Sequence, residues 1–399
     1  MRILFLTFQF PYPAISGASI KTLSLLDYLR REHDVRCLSL RRDPLSPEQQ
    51  NWADGQGGLR TVELDKGRNA WSLLLSYAAR VPLRIERNRS GEMARLVNAQ
   101  IGEFQPDAIF ADGLSMAQYV PEGYPGLKLL HEHNAEYLIW QRQSELETGP
   151  RRWLAAREAT RLRRYEASAL ARFDLVFTVS EDDRRQLLAL GAVPDRVRIL
   201  PNIPDLSLID LPAPDFADTA PVILYFGTLS WQPNIEGLER LLTSIFPVVR
   251  GQVPEARLVV AGAGASPALG GRVAATEGAE FIGEVSDPEP LYRHARLLVD
   301  ATRSGGGTRL KILNALARGI PVVASGIAAQ GLEVIPSEHL LVAEADGEMS
   351  DAIALLLRDP DRCRSLSENA RALVRARYVA EVAFRPLDDA LARAPAGAG

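Results

Sequence analysis

Short apolar runs that do not alternate in polarity recur along the first half of the chain, at residues 3–7, 35–40, 108–111, 128–131, 175–179 and 197–200. Stretches of helical spacing lie between them at 20–31, 92–104 and 153–172. Non-alternating apolar strands suit a parallel sheet covered on both faces, and strand–helix–strand repetition builds a doubly wound α/β domain.

The pattern restarts after residue 203. Pro201, Pro204, Pro212, Pro214 and Pro221 punctuate a polar stretch that reads as a linker. New runs follow at 222–226, 257–261, 280–282, 297–300 and 321–324, with helical partners at 234–250, 288–294 and 308–318. The end, 346–394, is helical throughout, broken at Pro360 and Pro386. The expected layout is an N-terminal Rossmann-like domain over 1–203, a second over 204–378, and a closing helix and tail over 379–399 that packs back on the first. A cleft is expected between the two domains.

Composition changes little. The chain has 399 residues and a formal net charge of −4, which gives no bulk reason to bind nucleic acid. Cys37 and Cys363 form no CxxC pattern and read as reduced thiols of a cytoplasmic protein. Residues 2–10 are too short an apolar run for a membrane span and do not read as a signal peptide, and no longer apolar run follows. An arginine-rich stretch, 142–172, reads as a solvated helix or as a face for an anionic membrane surface at its cytoplasmic side.

Chemistry is expected just beyond the carboxyl ends of the strands, where helix N-termini present unpaired N–H groups. Gly17 opens the helix after the first run and lets the backbone approach a ligand, or serves an ordinary turn. His131-Glu132-His133-Asn134-Ala135-Glu136 follows the fourth run. His131 and His133 stand at i and i+2, on one side of a strand, and read as a polar cluster that holds a substrate hydroxyl. No third ligand or HExxH spacing supports a metal. In Gly227-Thr228-Leu229-Ser230-Trp231-Gln232-Pro233-Asn234, Thr228 or Ser230 can donate to a phosphate, whereas Asn234 reads equally well as a helix cap. Gly262, Gly283 and Val285 follow buried runs and can line a pocket for a flat base.

The sharpest signal is Thr302-Arg303-Ser304-Gly305-Gly306-Gly307-Thr308-Arg309-Leu310-Lys311. Three consecutive glycines have no use in a strand or helix, but let successive N–H groups converge on an anion. Arg309 and Lys311 place two cations in the helix's first turn, against its dipole, a conflict that a bound anion would offset. GxxxxGK[ST] and GxGxxG are both absent, so neither a Walker loop nor a nicotinamide site is indicated.

The stretches 225–234, 257–264, 281–287 and above all 305–325 resemble the retaining glycosyltransferases of family 4, the group 1 glycosyltransferases; the resemblance extends more loosely to 2–29 and 131–136. It implies the GT-B fold, two Rossmann-like doubly wound parallel-sheet domains facing across a cleft. It also implies a metal-independent transfer, without a cofactor, from a nucleotide-diphosphate sugar (UDP or GDP) to a glycan, lipid-linked or small-molecule acceptor, as in polysaccharide biosynthesis. By the same resemblance, Gly305–Asn314 hold the donor, Arg309 and Lys311 stabilise the leaving diphosphate, and His133 meets the donor sugar. Gly17 closes over the diphosphate, and Asn134 and Glu136 shape the acceptor side. The family's paired glutamates fall on Gly306 and Asn314, where neither carboxylate is present. That departure also allows a non-catalytic nucleotide-sugar-binding partner of another transferase, and the fold allows a non-hydrolysing nucleotide-sugar epimerase.

Overall fold

A computed structural model describes residues 1–14, 17–64, 70–285, 287–304 and 308–393. The chain divides into two compact units, one of Met1–Pro201 with the C-terminal segment from Phe384, the other of Asn202–Ala383.

The first unit holds a seven-stranded parallel sheet in the order β3-β2-β1-β4-β5-β6-β7. Its strands are β1 (Arg2–Thr7), β2 (Asp34–Arg41), β3 (Leu59–Glu63), β4 (Ala108–Asp112), β5 (Leu127–Glu132), β6 (Leu175–Thr178) and β7 (Val197–Ile199). Ile3, Leu4, Phe5 and Leu6 are wholly buried, as are Ala108–Ala111, because helices cover both faces. Helix Arg385–Ala392 belongs to this unit: Tyr28 Oη donates to Asp388 Oδ2 at 2.6 Å, and the Tyr28 and Phe384 rings meet edge to face.

The second unit holds a six-stranded parallel sheet in the order β10-β9-β8-β11-β12-β13. Its strands are β8 (Val222–Phe226), β9 (Arg257–Ala261), β10 (Ala279–Gly283), β11 (Leu297–Asp300), β12 (Val322–Ala324) and β13 (Leu341–Val342). In each sheet the strand order reverses once, between β1 and β4 and between β8 and β11. A crevice for ligand opens at the carboxyl ends of strands at such a reversal.

The stretch expected as a linker is part of the second unit's core. Leu208, Ile209 and Phe216 are buried, and Arg371 donates to the carbonyls of Ile209 and Leu211. The prolines punctuate it, but its interspersed apolar residues pin it down. The helix expected over 234–250 begins earlier, at Gln232, and passes through a π turn at Leu241–Ile245 before continuing as Phe246–Gln252. Pro247, which lacks an N–H, sits just after that irregular turn. Pro360 and Pro386 each fall in the first turn of a helix, so they start helices rather than break one.

Candidate functional site

The reversal in the first sheet ends on a buried carboxylate. Asp112 closes β4, pairs in register with Thr7 at the end of β1, and is fully buried. His131 on β5 is its register partner on the other side. Asp112 Oδ1 lies 2.8 Å from His131 Nδ1 and 2.9 Å from His133 Nε2. Its other oxygen accepts from Thr22 Oγ1 in helix Gly17–Arg30 and, at 3.4 Å, from Thr7 Oγ1. Burial pushes this carboxyl's pKa up, but the imidazoles of His133 and His131 more than offset it and hold it well below the usual carboxylate range. His131 is pushed down to about 3, first by burial and then by the field of His133, against the pull of Asp112. It is therefore a neutral imidazole near pH 7, oriented by a carboxylate on Nδ1. The side chain of His133 is 12% exposed and is the one of the pair that reaches solvent.

Asp112, His131 and His133 are close enough together to hold a metal ion. Both imidazoles approach one carboxylate oxygen within 2.9 Å, but the buried Nε2 of His131 has no hydrogen-bond partner among the described residues, so the cluster is not fully satisfied as a protonic network. Lys21 lies behind it, buried, donating to the carbonyls of Leu200 and Pro201. Burial holds its pKa well below the usual lysine value, against the pull of Asp112. Gly17 opens the same helix and is exposed.

Glu132 points away from the histidines, as strand alternation requires. It is buried, and neither of its oxygens finds a donor among the described residues. It lies against Glu166, whose carboxylate accepts from the backbone N–H groups of Glu136 and Tyr137 at the start of helix Glu136–Leu146. Burial and mutual repulsion push Glu132 well above the usual range, and burial lifts Glu166 to about 7. Asn134 is half-buried, and Glu136 pairs with Arg84 at 2.8 Å.

The reversal in the second sheet also ends on a buried aspartate, Asp300 of β11. Lys311, in the first turn of helix Leu310–Arg318, places Nζ 3.0 Å from Asp300 Oδ2 and donates to Asn234 Oδ1 at 3.1 Å. The same ammonium lies 5.0 Å from the Tyr225 ring centroid. Burial lowers the lysine's pKa and Asp300 opposes that shift. The conflict between this cation and the helix dipole is thus answered within the chain by Asp300. Arg309 caps the helix, stacks 4.7 Å over the Trp231 ring and donates to Ser304 O. The hydroxyl of Thr308 is buried with no partner among the described residues.

Gly305, Gly306 and Gly307 lie outside the described residues. The chain leading to them is pinned: Arg240 donates to Ala301 O and pairs with Asp346, and Ser325 donates to Thr302 O. Asn234 is not the helix cap; Trp231 holds that position, and Asn234 Nδ2 donates to Thr228 O. Thr228 itself is exposed. Gly262 is required by packing: a Cβ there would come within 1.7 Å of Gly227 O. Gly283 has a φ of 85°, a left-handed conformation, with nothing within 4 Å of a Cβ built there, and Val285 is half-buried just beyond. Asn314 Oδ1 accepts from Asp205 N at 2.9 Å, so its carbonyl is engaged inside the unit.

Asp112, Asp300 and Thr22 carry no sequence signal, since a lone aspartate at a strand end belongs to no motif. Only the strand register brings them to the histidines and the lysine.

Residues 16–203 match the family model of the glycosyl transferase 4-like domain, and residues 220–359 that of the glycosyl transferases group 1. An uncharacterised 44.6 kDa protein in the cps region of Klebsiella pneumoniae is 24% identical over 169 residues, 41% of this chain and 44% of that protein. The match therefore spans less than half the length of that relative. Among solved structures, HepE of Anabaena in complex with UDP and glucose is 15% identical, with a TM-score of 0.67 over 98% of this chain and 100% of that one. The sucrose-phosphate synthase of Thermosynechococcus elongatus is 20% identical, with a TM-score of 0.72 over 98% of this chain and 99% of that one. The shared fold is GT-B, with its two Rossmann-like parallel-sheet domains.

Proposed function

The chain belongs to the glycosyltransferases, whose two domain models match most of its length, and on that premise we propose that it transfers a sugar from a UDP- or GDP-sugar to a glycan, lipid-linked or small-molecule acceptor, with retention and without a metal ion. The observation that carries this reading is Lys311, a buried cation at the strand-order reversal of the second sheet, with Arg309 two residues before it at a helix N-terminus. Nucleotide-diphosphate charge is met there by two cations, by helix N–H groups and by the Thr308 hydroxyl, the groups that stabilise a leaving diphosphate as charge builds on its oxygens. Gly305–Gly307 would extend that cradle, and Gly283 and Val285 would border the base.

In the first unit, His133 hydrogen-bonds the transferred sugar. Asp112 fixes its orientation and His131 backs it. Asn134, next after His133, and Glu136, two residues further on, lie on the side of the acceptor. The leaving diphosphate takes the acceptor's proton, so no protein nucleophile is needed. Because Asn314 is tied to Asp205, it contributes more to the shape of the donor site than to a carboxylate-like grip on ribose.

Thermal-shift titration with UDP, GDP and ADP tests this reading. One base should stabilise the chain, by about 2.7 kcal/mol at a hundredfold excess over Kd. Stabilisation by none would overturn it. Nucleotide binding with no turnover in any acceptor screen would favour a non-catalytic binding partner instead.

A further inference from the structure

The first unit contains a pocket of about 1100 Å³ that the reading above does not use. It lies beyond the carboxyl ends of β1 and β2, bordered by Phe8, Gln9 and Phe10 on one side and by the segment from Arg41 to Leu45 on another. Helices Leu83–Arg87, Glu136–Leu146 and Gly149–Arg172 supply much of the remaining wall. Its volume is at or above the upper end of the range usual for small-molecule sites, roughly 300–1,000 Å³, which suits a ligand larger than one sugar ring.

The wall has a marked sign. Arg41, Arg42, Arg84, Arg87 and Arg151 line it, against two acids, Asp43 and Glu147. Arg41 pairs with Glu63 at 2.7 Å, Arg84 pairs with Glu136 at 2.8 Å, and Arg42 donates to Asn88 Oδ1 at 3.0 Å. Arg41 also donates to Asp43 O at 2.9 Å, and each guanidinium presents five N–H groups in a fixed fork. Arg151 is exposed on its helix. A concavity lined by cations concentrates anions, and guanidinium forks fit phosphate and carboxylate oxygens two at a time. The remaining wall is apolar, with Phe10, Ile139, Trp140 and Leu154 offering flat or aliphatic surface.

The pocket adjoins the histidine cluster. Phe8 lines it and meets the His133 ring edge to face at 5.7 Å, with the Arg84 guanidinium 6.0 Å from the Phe8 ring centroid. A molecule bound here ends one side chain away from His133.

The geometry points to this pocket as the acceptor site and to an anionic acceptor: a phosphate or carboxylate held among Arg42, Arg87 and Arg151, with rings or chain against Phe10, Ile139 and Trp140. This inference rests on the transferase reading. An anion of this kind can come from a lipid diphosphate or from an acidic glycan, and the two are separated by probe.

The experiment is calorimetric titration of the full chain with geranyl diphosphate, a glucuronate-terminated disaccharide and neutral cellobiose. At least one anionic probe should bind at least tenfold more tightly than cellobiose, and more weakly as salt is raised. Which one binds identifies the source of the anion. Arg87→Gln and Arg151→Gln should each weaken it about fivefold. Ile139→Glu, at a position 47% exposed, should weaken it further without unfolding the chain. Failure of both anionic probes, equal binding of cellobiose, or affinities within twofold in all three variants would overturn the inference. Nucleotide titration in parallel keeps the two readings apart: nucleotide binding without anion preference sinks only the acceptor assignment, and absence of nucleotide binding sinks the transferase reading.

Discussion

The two sheets end their strand-order reversals alike and equip them differently. Asp112 and Asp300 are each the last residue of the strand beyond the reversal, and both are wholly buried. Asp112 is surrounded by imidazoles and hydroxyls, Asp300 by an ammonium. The first arrangement is a set of hydroxyls and imidazoles that converge on one carboxylate. The second is a charge pair that holds a cation in place at low exposure. The fold supplies the same location twice, and the residues around each aspartate give it a different electrostatic character.

Removing each carboxylate should break the likeness most strongly. Asp300→Ala leaves Lys311 buried with its counter-charge gone, and should destabilise the chain by about 3–5 kcal/mol in urea unfolding. Asp112→Ala removes acceptors mainly from neutral donors, since His131 is unprotonated near pH 7, and should cost about 1–3 kcal/mol. Equal costs would mean that the first site also carries a buried charge pair, and the contrast would fail.

Lys311 separates stability from binding. Lys311→Met alone strands Asp300 and should destabilise; Asp300→Asn with Lys311→Met should recover most of that loss, because a buried pair replaced as a unit leaves no unpaired charge. Nucleotide affinity should stay at least tenfold down in both variants. If Lys311→Met bound nucleotide like the parent chain, the lysine would be purely structural. His133→Gln is the corresponding change in the first unit. It should lower kcat by more than tenfold with a Tm within about 2 °C of the parent. His131→Gln should cost more stability, because His131 is fully buried on Asp112.

These contrasts also show what a sequence can carry. The central strands of both sheets are legible because they are buried on both faces and read as unbroken apolar runs. β3, with Arg60 and Glu63 at the sheet edge, and the two-residue β13 lack that run and are not. The histidine pair is legible from i, i+2 spacing, and the glycine run from its composition. Asp112 is not, because its partner lies nineteen positions away and meets it only through β4–β5 register. Lys311 is visible as a charge at a helix start, but its counter-charge on Asp300 is not, and that counter-charge removes the need for a ligand to offset the dipole. Leu208, Ile209 and Phe216 are hidden among prolines that signal a linker, although each is buried.

A pH-dependent contrast sharpens the comparison from the reverse face of β5. Glu132 and Glu166 face each other without a donor for Glu132, so a hydrogen bond between them requires a proton. Glu166 titrates near 7 in the folded chain against an ordinary 4.5. Between those values the folded state holds a proton that the unfolded state has lost, so the pair's contribution to stability falls as pH rises. The slope is about 1.4 kcal/mol per pH unit for one proton. His131 acts in the opposite sense, since its folded value of about 3 lies below the ordinary 6.5, and the chain gains stability from it as pH rises across that interval. The two trends oppose each other between 4.5 and 6.5, so the raw profile of the parent chain is shallow there. Glu132→Gln supplies the missing N–H donor in nearly the same shape and should remove the carboxyl contribution alone. The difference in unfolding free energy between variant and parent, measured in urea from pH 4.5 to 7, should grow steadily in the variant's favour. A flat difference would mean that the two glutamates do not share a proton.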